Sequence, residues 1–157
     1  MKVIKYNLKI SDNLPKLVKE KSKEYSGDNI SSPKDVASLM SSVYHLDKMA
    51  EEYTYAIGVD TKGKILGVFE ISHGTVDMAL ISPREIFIRM LLCGACRMFI
   101  IHNHPSGDPT PSQEDIKLIK RIKECSQLLN IPLLDHIILG NLKYYSMMEE
   151  GVITNEN

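Results

Sequence analysis

Residues 97–115 read RMFIIHNHPSGDPTPSQED, and the architecture can be worked out from them. The apolar run at residues 97–101 lies between Gly94 and a loop rich in Pro and Gly, which is typical of a buried central strand. The loop returns the chain to Ser112, where a helix is predicted to begin with an apolar face inward and lysines outward. The inward residues are Ile116, Ile119, Ile122 and Leu129, and the outward ones are Lys117, Lys120 and Lys123. A buried strand followed by an amphipathic helix indicates a sheet covered by helices.

Further helices and strands are predicted on both sides of this unit. A Ser-Pro-x-Asp sequence at residues 32–35 predicts a capped helix that continues to about Ala50. A Ser-to-Glu capping box at residues 82–85 predicts another helix, which ends at Gly94. Strands are predicted over residues 53–60, 65–71, 76–81, 136–140 and 144–147, where β-prone residues lie between turn-prone ones. Because helices and strands are intermingled without strict alternation, the sequence predicts an α/β or α+β fold with a mixed β-sheet flanked by helices.

The composition is that of an ordinary globular domain. The 157 residues are 43% hydrophobic and 25% charged, which is enough for one apolar core. The formal net charge of -1 gives no global reason to expect binding to nucleic acids or anionic membranes. No apolar run approaches the roughly 20 residues that span a bilayer, and the N-terminus lacks a signal-peptide pattern. Because the three cysteines are an odd number and no export signal is apparent, we expect reduced thiols. Together with the missing apolar span, this predicts a cytoplasmic protein without a membrane partner.

The chain divides into three predicted segments. Residues 1–31 are lysine-rich and are predicted to be an N-terminal arm, either a solvated edge strand and loop or a contact for phosphates. The solvated arm is the simpler interpretation, because the chain as a whole has no excess of positive charge. Residues 32–151 are predicted to form the domain, and residues 152–157 a C-terminal tail.

The end of the predicted central strand has the spacing of a metal site. His102 and His104 are two residues apart, so their imidazoles leave the same face if the segment is extended. Asp115 follows in the first turn of the next helix and could supply a third ligand. Three protein ligands leave zinc an open position for water, which is the catalytic arrangement. The alternative is structural, since Ser112 and Asp115 also form a capping box and a single His-x-His pair is usually without a role.

The whole stretch from His102 to Asp115 resembles the RadC family's form of the JAMM (MPN+) metalloprotease motif, His-x-His-Pro followed by Ser-x-x-Asp. Further similarity lies at residues 74–75, 82–87 and 134–136, and the resemblance covers residues 33–151. It implies a JAB/MPN-type fold, similar to the cytidine-deaminase-like architecture. It also implies that Zn²⁺ is held by the two histidines and the aspartate, and that a zinc-activated water hydrolyses a peptide or isopeptide bond.

The resemblance also implies roles for two further residues. The motif serine, Ser112, would help to stabilise the oxyanion. The family's catalytic glutamate lies at the start of the first strand of the domain and maps by position onto Glu52, where it would act as general base. Glu70, near the end of the next predicted strand, is the rival candidate from the residues alone.

Two other interpretations remain open at this stage. RadC relatives are traditionally described as DNA repair proteins, so a nucleic-acid-interacting module with little or no hydrolase activity is the alternative function. Longer relatives carry a helix-hairpin-helix region ahead of this domain, and the roughly thirty residues that precede it here are too few for one. Cys93 and Cys96 form a C-x-x-C without a second pair, which favours packing over redox or zinc chemistry. The substrate and the oligomeric state cannot be predicted from these residues.

Overall fold

The structure is a computed structural model and describes residues 1–74 and 81–154. The strands and helices are β1 (Lys2–Ser11), β2 (Leu14–Glu24), α1 (Pro33–Tyr44), β3 (Glu52–Val59), β4 (Ile65–Gly74), α2 (Pro83–Leu92), β5 (Arg97–Asn103), α3 (Gln113–Leu128), β6 (Leu133–Leu139) and β7 (Tyr144–Ser146). A short 3-10 turn, Leu46–Lys48, lies between α1 and β3. The strands β3, β4, β6 and β7 are those predicted from the sequence, with ends that differ by a few residues.

Within the described residues the seven strands form one sheet, in the order β2-β1-β4-β3-β5-β6-β7. The pairs β1 with β4 and β5 with β6 are parallel, and the other neighbours are antiparallel. Helix α1 packs on one face of the sheet, and α2 and α3 pack on the other, each face having its own cluster of buried apolar side chains. The predicted α/β architecture, a mixed sheet flanked by helices, is confirmed.

Strand β5 is central and buried on both faces, which explains its uninterrupted apolar sequence. Phe99 and Ile101 belong to the cluster under α1, whereas Met98 and Ile100 belong to the cluster under α2 and α3. Because successive side chains of a strand point to opposite faces, the next residue, His102, lies on the side of α3. The same alternation places Asn103, the last residue of β5, on the side of α1.

The first 24 residues contain the predicted solvated edge strand, the mostly exposed β2, and in addition the strand β1, which the sequence pattern did not indicate. They form the long antiparallel hairpin β1–β2, whose first strand joins the sheet beside β4. Val3 is fully buried, and the ring of Tyr6 stacks on Phe69 with centroids 6.0 Å apart. The turn residues Asp12 and Asn13 both have positive φ, 54° and 61°, as a two-residue hairpin turn of type I′ requires. The many lysines obscure the alternating pattern of the two strands, and the Asp12-Asn13 pair was the sequence signal for a hairpin turn.

Helix α1 is shorter than predicted. It ends at Tyr44 rather than near Ala50, because His45 adopts a left-handed conformation with φ 55° and its N–H binds the last carbonyls. The predicted N-terminal cap is confirmed, since Ser32 and Asp35 form a reciprocal capping box.

Two predictions about the other helices were wrong. Ser82 begins α2 but makes no side-chain cap, and the Glu85 carboxylate, the other half of the predicted box, pairs with Arg84 at 2.8 Å and with Arg89 at 3.3 Å. Leu129 is not an inward residue of α3; it follows the helix and is 43% exposed. Leu118 is buried in the helix instead.

The strand predicted over residues 76–81 falls on a segment that is almost wholly outside the described residues. Among the helices that are described, none combines the length and the apolar character needed to cross a membrane.

Candidate metal centre

The three predicted ligands converge where β5 ends and α3 begins. His102 is the sixth residue of β5, His104 follows the strand directly, and Asp115 lies in the first turn of α3. Their ligand atoms all lie within 4.8 Å of one another. His102 Nε2 is 3.0 Å from His104 Nε2 and 3.3 Å from Asp115 Oδ1, and His104 Nε2 is 3.5 Å from Asp115 Oδ2. Ligand atoms at the corners of a tetrahedron with metal bonds of about 2.0–2.1 Å are about 3.3 Å apart, so this donor set fits a zinc-sized cation.

Both imidazoles are held by their Nδ1 atoms, which leaves Nε2 for the metal. His104 Nδ1 lies 2.8 Å from the Asp108 carbonyl oxygen, which can only accept, so Nδ1 carries the proton. His102 Nδ1 lies 2.7 Å from Nε2 of His136, a fully buried residue of β6. Contacts of this kind fix the tautomer and the ring orientation of metal ligands.

Asp115 is held by the capping box that opens α3. Its Oδ2 accepts hydrogen bonds from the Ser112 backbone N–H at 2.7 Å and from the Ser112 hydroxyl at 2.6 Å. Its Oδ1 is buried without a hydrogen-bond partner among the described residues. A buried carboxylate oxygen that lacks a donor is costly, and a cation bound to it would remove that cost. The capping and ligand interpretations of Asp115 are therefore compatible, one for each oxygen.

The charges of His102 and Asp115 suit metal binding, whereas the hydrogen bond with Asp115 raises the pKa of His104, so a metal ion has to displace a proton there. Burial lowers the pKa of His102 well below its usual range, and the neighbouring His136 acts in the same direction. Burial raises the pKa of Asp115, but the hydrogen bond with His104 and those from Ser112 outweigh it and bring the pKa well below its usual range. His102 is thus neutral and Asp115 ionised, which are the forms that bind a divalent cation.

The two candidate glutamates lie on opposite faces of the sheet. Glu52 begins β3 and is half-buried, and burial raises its pKa while the charge of His104 lowers it and that of Asp115 raises it. It therefore lies within electrostatic reach of both ligands. Glu70 is paired in register with Tyr55, whose side chain belongs to the cluster under α1, and it accepts from Lys5 at 2.8 Å and from the Tyr55 hydroxyl at 3.2 Å. Glu52 as general base stays a prediction, but Glu70 is engaged on the face away from the histidines.

The position of Ser112 is that of an N-cap. Its hydroxyl donates to Asp115 Oδ2 and accepts from the Asp115 N–H at 3.1 Å, so both functions of the hydroxyl are used within the capping box. Its predicted part in stabilising an oxyanion stays a prediction.

The thiols take no part in the donor set. Cys93 and Cys96 lie beyond the opposite end of β5, before Arg97. The Cys93 thiol is half-buried beside the apolar cluster under α2 and α3, and burial raises its pKa to about 11, whereas Cys96 is exposed. The packing interpretation holds for Cys93 and fails for Cys96.

Sequence reasoning missed the contacts of one residue in the motif, Asn103, and included His136 only in the family similarity at residues 134–136. His136 supports the ring of His102, as described above. Asn103 is 2% exposed and binds the backbone at the start of β3. The only signal in the sequence was strand alternation, which puts Asn103 on the face away from the two imidazoles but does not say what lies there.

Comparison with known proteins relates most of this chain to one protein family. A family model described as "RadC-like JAB domain" matches residues 30–152, which leaves the hairpin β1–β2 outside the match. A UPF0758 protein of Clostridium beijerinckii is 41% identical over 124 residues, 79% of this chain and 53% of the relative. One of Clostridium acetobutylicum is 38% identical over 131 residues, 83% of this chain and 56% of the relative. The chain thus spans about half the length of these curated relatives, and their names state no activity.

Proposed function

Because this chain belongs to the RadC family, with a RadC-like JAB domain over residues 30–152, we propose that it is a zinc-dependent hydrolase of peptide or isopeptide bonds. The observation that carries the proposal is the donor set of two imidazole nitrogens and one carboxylate oxygen, with a buried Asp115 oxygen that has no hydrogen-bond partner among the residues that the structure describes. Two nitrogens and one oxygen suit zinc, and three protein ligands leave a coordination position open, as in hydrolytic zinc sites.

Zinc held by these residues would supply Lewis acidity, lowering the pKa of a bound water to about 7 and polarising a carbonyl group. Glu52 is the proposed general base: it takes a proton at its carboxylate and returns it to the leaving amine. A carboxylate whose pKa is raised by burial is better suited to this exchange near neutral pH than an exposed one. The Ser112 hydroxyl and the His136 imidazole hold two of the ligands, Asp115 and His102.

The test is cleavage of two peptide pools by the zinc-loaded chain, followed by mass spectrometry. One pool consists of linear peptides and the other of peptides branched through the ε-amine of lysine. We expect cleavage of at least one pool, and the cleaved pool identifies the bond. The result against the proposal is that neither pool is cut by the zinc-loaded chain beyond the metal-free chain.

Glu52→Gln and Glu70→Gln form a matched pair of variants for this test. Loss of a general base costs roughly 10²- to 10⁴-fold in rate, so Glu52→Gln should lose this much while it keeps its zinc. Glu70→Gln should change the rate little, because Glu70 binds Lys5 on the other face of the sheet. Equal rates for Glu52→Gln and the unmodified chain would contradict the proposed role of Glu52.

A further inference from the structure

The residue between the two histidines serves the opposite face of the sheet. The Asn103 side chain lies on the side of α1, away from the imidazoles of His102 and His104, and it is only 2% exposed. The backbone pairing between β3 and β5 runs from Val59 with Arg97 to Thr54 with His102 and stops there. Asn103 is therefore the first residue of β5 that has no backbone pairing with β3, and its side chain makes the contact with β3 instead.

The Asn103 carboxamide binds the backbone on both sides of Glu52. Its Oδ1 accepts from the Tyr53 N–H at 2.9 Å, and its Nδ2 donates to the Glu51 carbonyl at 3.0 Å and to the Met49 carbonyl at 3.4 Å. The Glu51 carbonyl belongs to the peptide group before the Glu52 Cα, and the Tyr53 N–H belongs to the peptide group after it. One amide thus fixes the two peptide planes whose rotations set the direction of the Glu52 side chain.

Only a carboxamide can make this set of bonds from this position. The site needs an acceptor for the Tyr53 N–H and donors for two carbonyl oxygens, which Asn supplies together. An aspartate would have the same shape but would put a carboxylate against the carbonyls of Met49 and Glu51. An alanine would leave all three backbone groups without the bond.

We propose that Asn103 is a positioning residue that fixes the placement of Glu52 relative to the metal ligands. It links the proposed general base to the segment 102–104, which carries both histidines. This inference rests on the proposed function, in which Glu52 moves the proton. The connection between the metal ligands and Glu52 is short, because Asn103 is covalently joined to both histidines and hydrogen-bonded to both neighbours of Glu52.

The first test measures the hydrogen bond between the Asn103 side chain and the Tyr53 N–H, and it does not depend on activity. In the metal-free chain the Tyr53 amide should exchange slowly with solvent, and Asn103→Asp and Asn103→Ala should both accelerate that exchange more than 10-fold relative to amides in the middle of β3. Asn103→Asp keeps the shape of the side chain, so it provides the measurement even if Asn103→Ala folds poorly. Unchanged protection of Tyr53 in the folded variants would overturn the inference.

The control variant is Ser126→Ala. Ser126 is 1% exposed and its hydroxyl also bridges two backbone groups, donating to the Lys123 carbonyl at 2.7 Å and accepting from the Leu133 N–H at 3.4 Å. It lies near the far end of α3 from Asp115. The variant therefore removes a comparable buried contact without touching the neighbours of Glu52. We expect it to lower the stability of the chain while leaving the exchange of Tyr53 relative to amides in the middle of β3, and the rate of hydrolysis, within about 2-fold.

The second test asks whether Asn103 acts through Glu52. A displacement of about 1 Å at a reacting group can cost roughly 10²-fold in rate, so in the zinc-loaded chain Asn103→Asp should lower kcat 10- to 100-fold on the peptides cleaved from the pools. KM and zinc stoichiometry should stay within about 2-fold. In a Glu52→Gln background the same substitution should have almost no further effect, since the group that it positions is already absent.

The outcomes separate this inference from the proposed function. If the unmodified chain cleaves peptides and Asn103→Asp does so equally fast, or if the substitution costs as much in the Glu52→Gln background, the inference is overturned and the hydrolase stands. If the zinc-loaded chain cleaves neither pool, the proposed function and the catalytic part of the inference fail together. The exchange of Tyr53 decides the structural part in either case.

Discussion

Helices α1 and α3 begin with the same hydrogen-bonded motif, and only one of the two carries a candidate site. Ser32 accepts from the Asp35 N–H at 3.2 Å, and Ser112 accepts from the Asp115 N–H at 3.1 Å. In return, Oδ2 of each aspartate accepts from the serine N–H, at 2.9 Å in α1 and at 2.7 Å in α3. Judged by the local motif alone, the two helix starts are equivalent.

The surroundings of the two carboxylates differ. Asp35 is half-buried, and its Oδ2 takes two further hydrogen bonds from Ser31, at 2.9 and 3.0 Å. Asp115 is 1% exposed, and its Oδ1 has no hydrogen-bond donor in the described part of the chain but lies 3.3 Å from His102 Nε2. A capping box thus fixes the position of a carboxylate. The neighbouring strand decides whether other metal ligands lie beside that carboxylate.

The largest difference between the two boxes should appear when the carboxylates are replaced. Asp115→Asn keeps the shape and the capping acceptor but removes a charged ligand, so zinc affinity should fall more than the roughly 10- to 100-fold that loss of an outer-sphere partner costs. Asp35→Asn should leave zinc affinity unchanged. Competition titration with a zinc-binding dye measures both. Similar zinc affinities for the two variants would remove the functional distinction between the boxes.

A smaller difference is expected for the serines. Ser32→Ala and Ser112→Ala should each lower the free energy of unfolding by about 1 kcal/mol, because each removes an N-cap. Only Ser112→Ala also removes a hydroxyl that orients a proposed metal ligand, so its zinc affinity should fall roughly 10-fold. Urea titration gives the first quantity and zinc competition the second. Equal zinc affinities for the two alanine variants would show that the Ser112 hydroxyl does no more than cap the helix.

The smallest effect concerns pH at the structural box. Burial raises the pKa of Asp35, but the hydrogen bonds from Ser31 and Ser32 outweigh it and leave the pKa below its usual value. A carboxylate with a lowered pKa stabilises the fold above its unfolded pKa of about 4, and this contribution is lost as the pH falls through the folded pKa. The stability difference between the unmodified chain and Asp35→Asn, at most about 1 kcal/mol at pH 7, should therefore shrink below about pH 4.

Paired urea titrations of the metal-free proteins at pH 7 and pH 3 check this prediction, and the difference between variants cancels the other titrating groups. A difference that grew on acidification would mean that the sign of the Asp35 contribution is wrong.

Much of the fold could be predicted because it depends on local chemistry. The apolar run before His102 is long enough for a strand and too short for a helix, and the two histidines and Asp115 are close in sequence, so a single turn of chain brings them together. The Ser-Pro-x-Asp signature at α1 also worked, since a capping box involves only four residues.

The remainder depended on contacts that are distant in sequence. The glutamate half of the capping signature at Ser82 failed because Arg84 and Arg89 bind the Glu85 carboxylate. Glu52 and Glu70 could not be separated by pattern, because the face on which each lies follows from sheet register, which includes irregularities between β3 and β4. The role of Asn103 depends on backbone groups about 50 residues away in the chain, and no local spacing indicates them.

In the proposed metal centre, His102, His104 and Asp115 bind one zinc ion and leave part of its coordination open. X-ray absorption at the zinc edge of the zinc-loaded chain tests this most directly. We expect one zinc per chain, surrounded only by nitrogen and oxygen at about 2.0–2.2 Å, with the scattering pattern of two imidazoles. Sulfur neighbours at about 2.3 Å would instead assign the metal to the cysteines, and a zinc content far below one per chain would contradict the metal centre altogether.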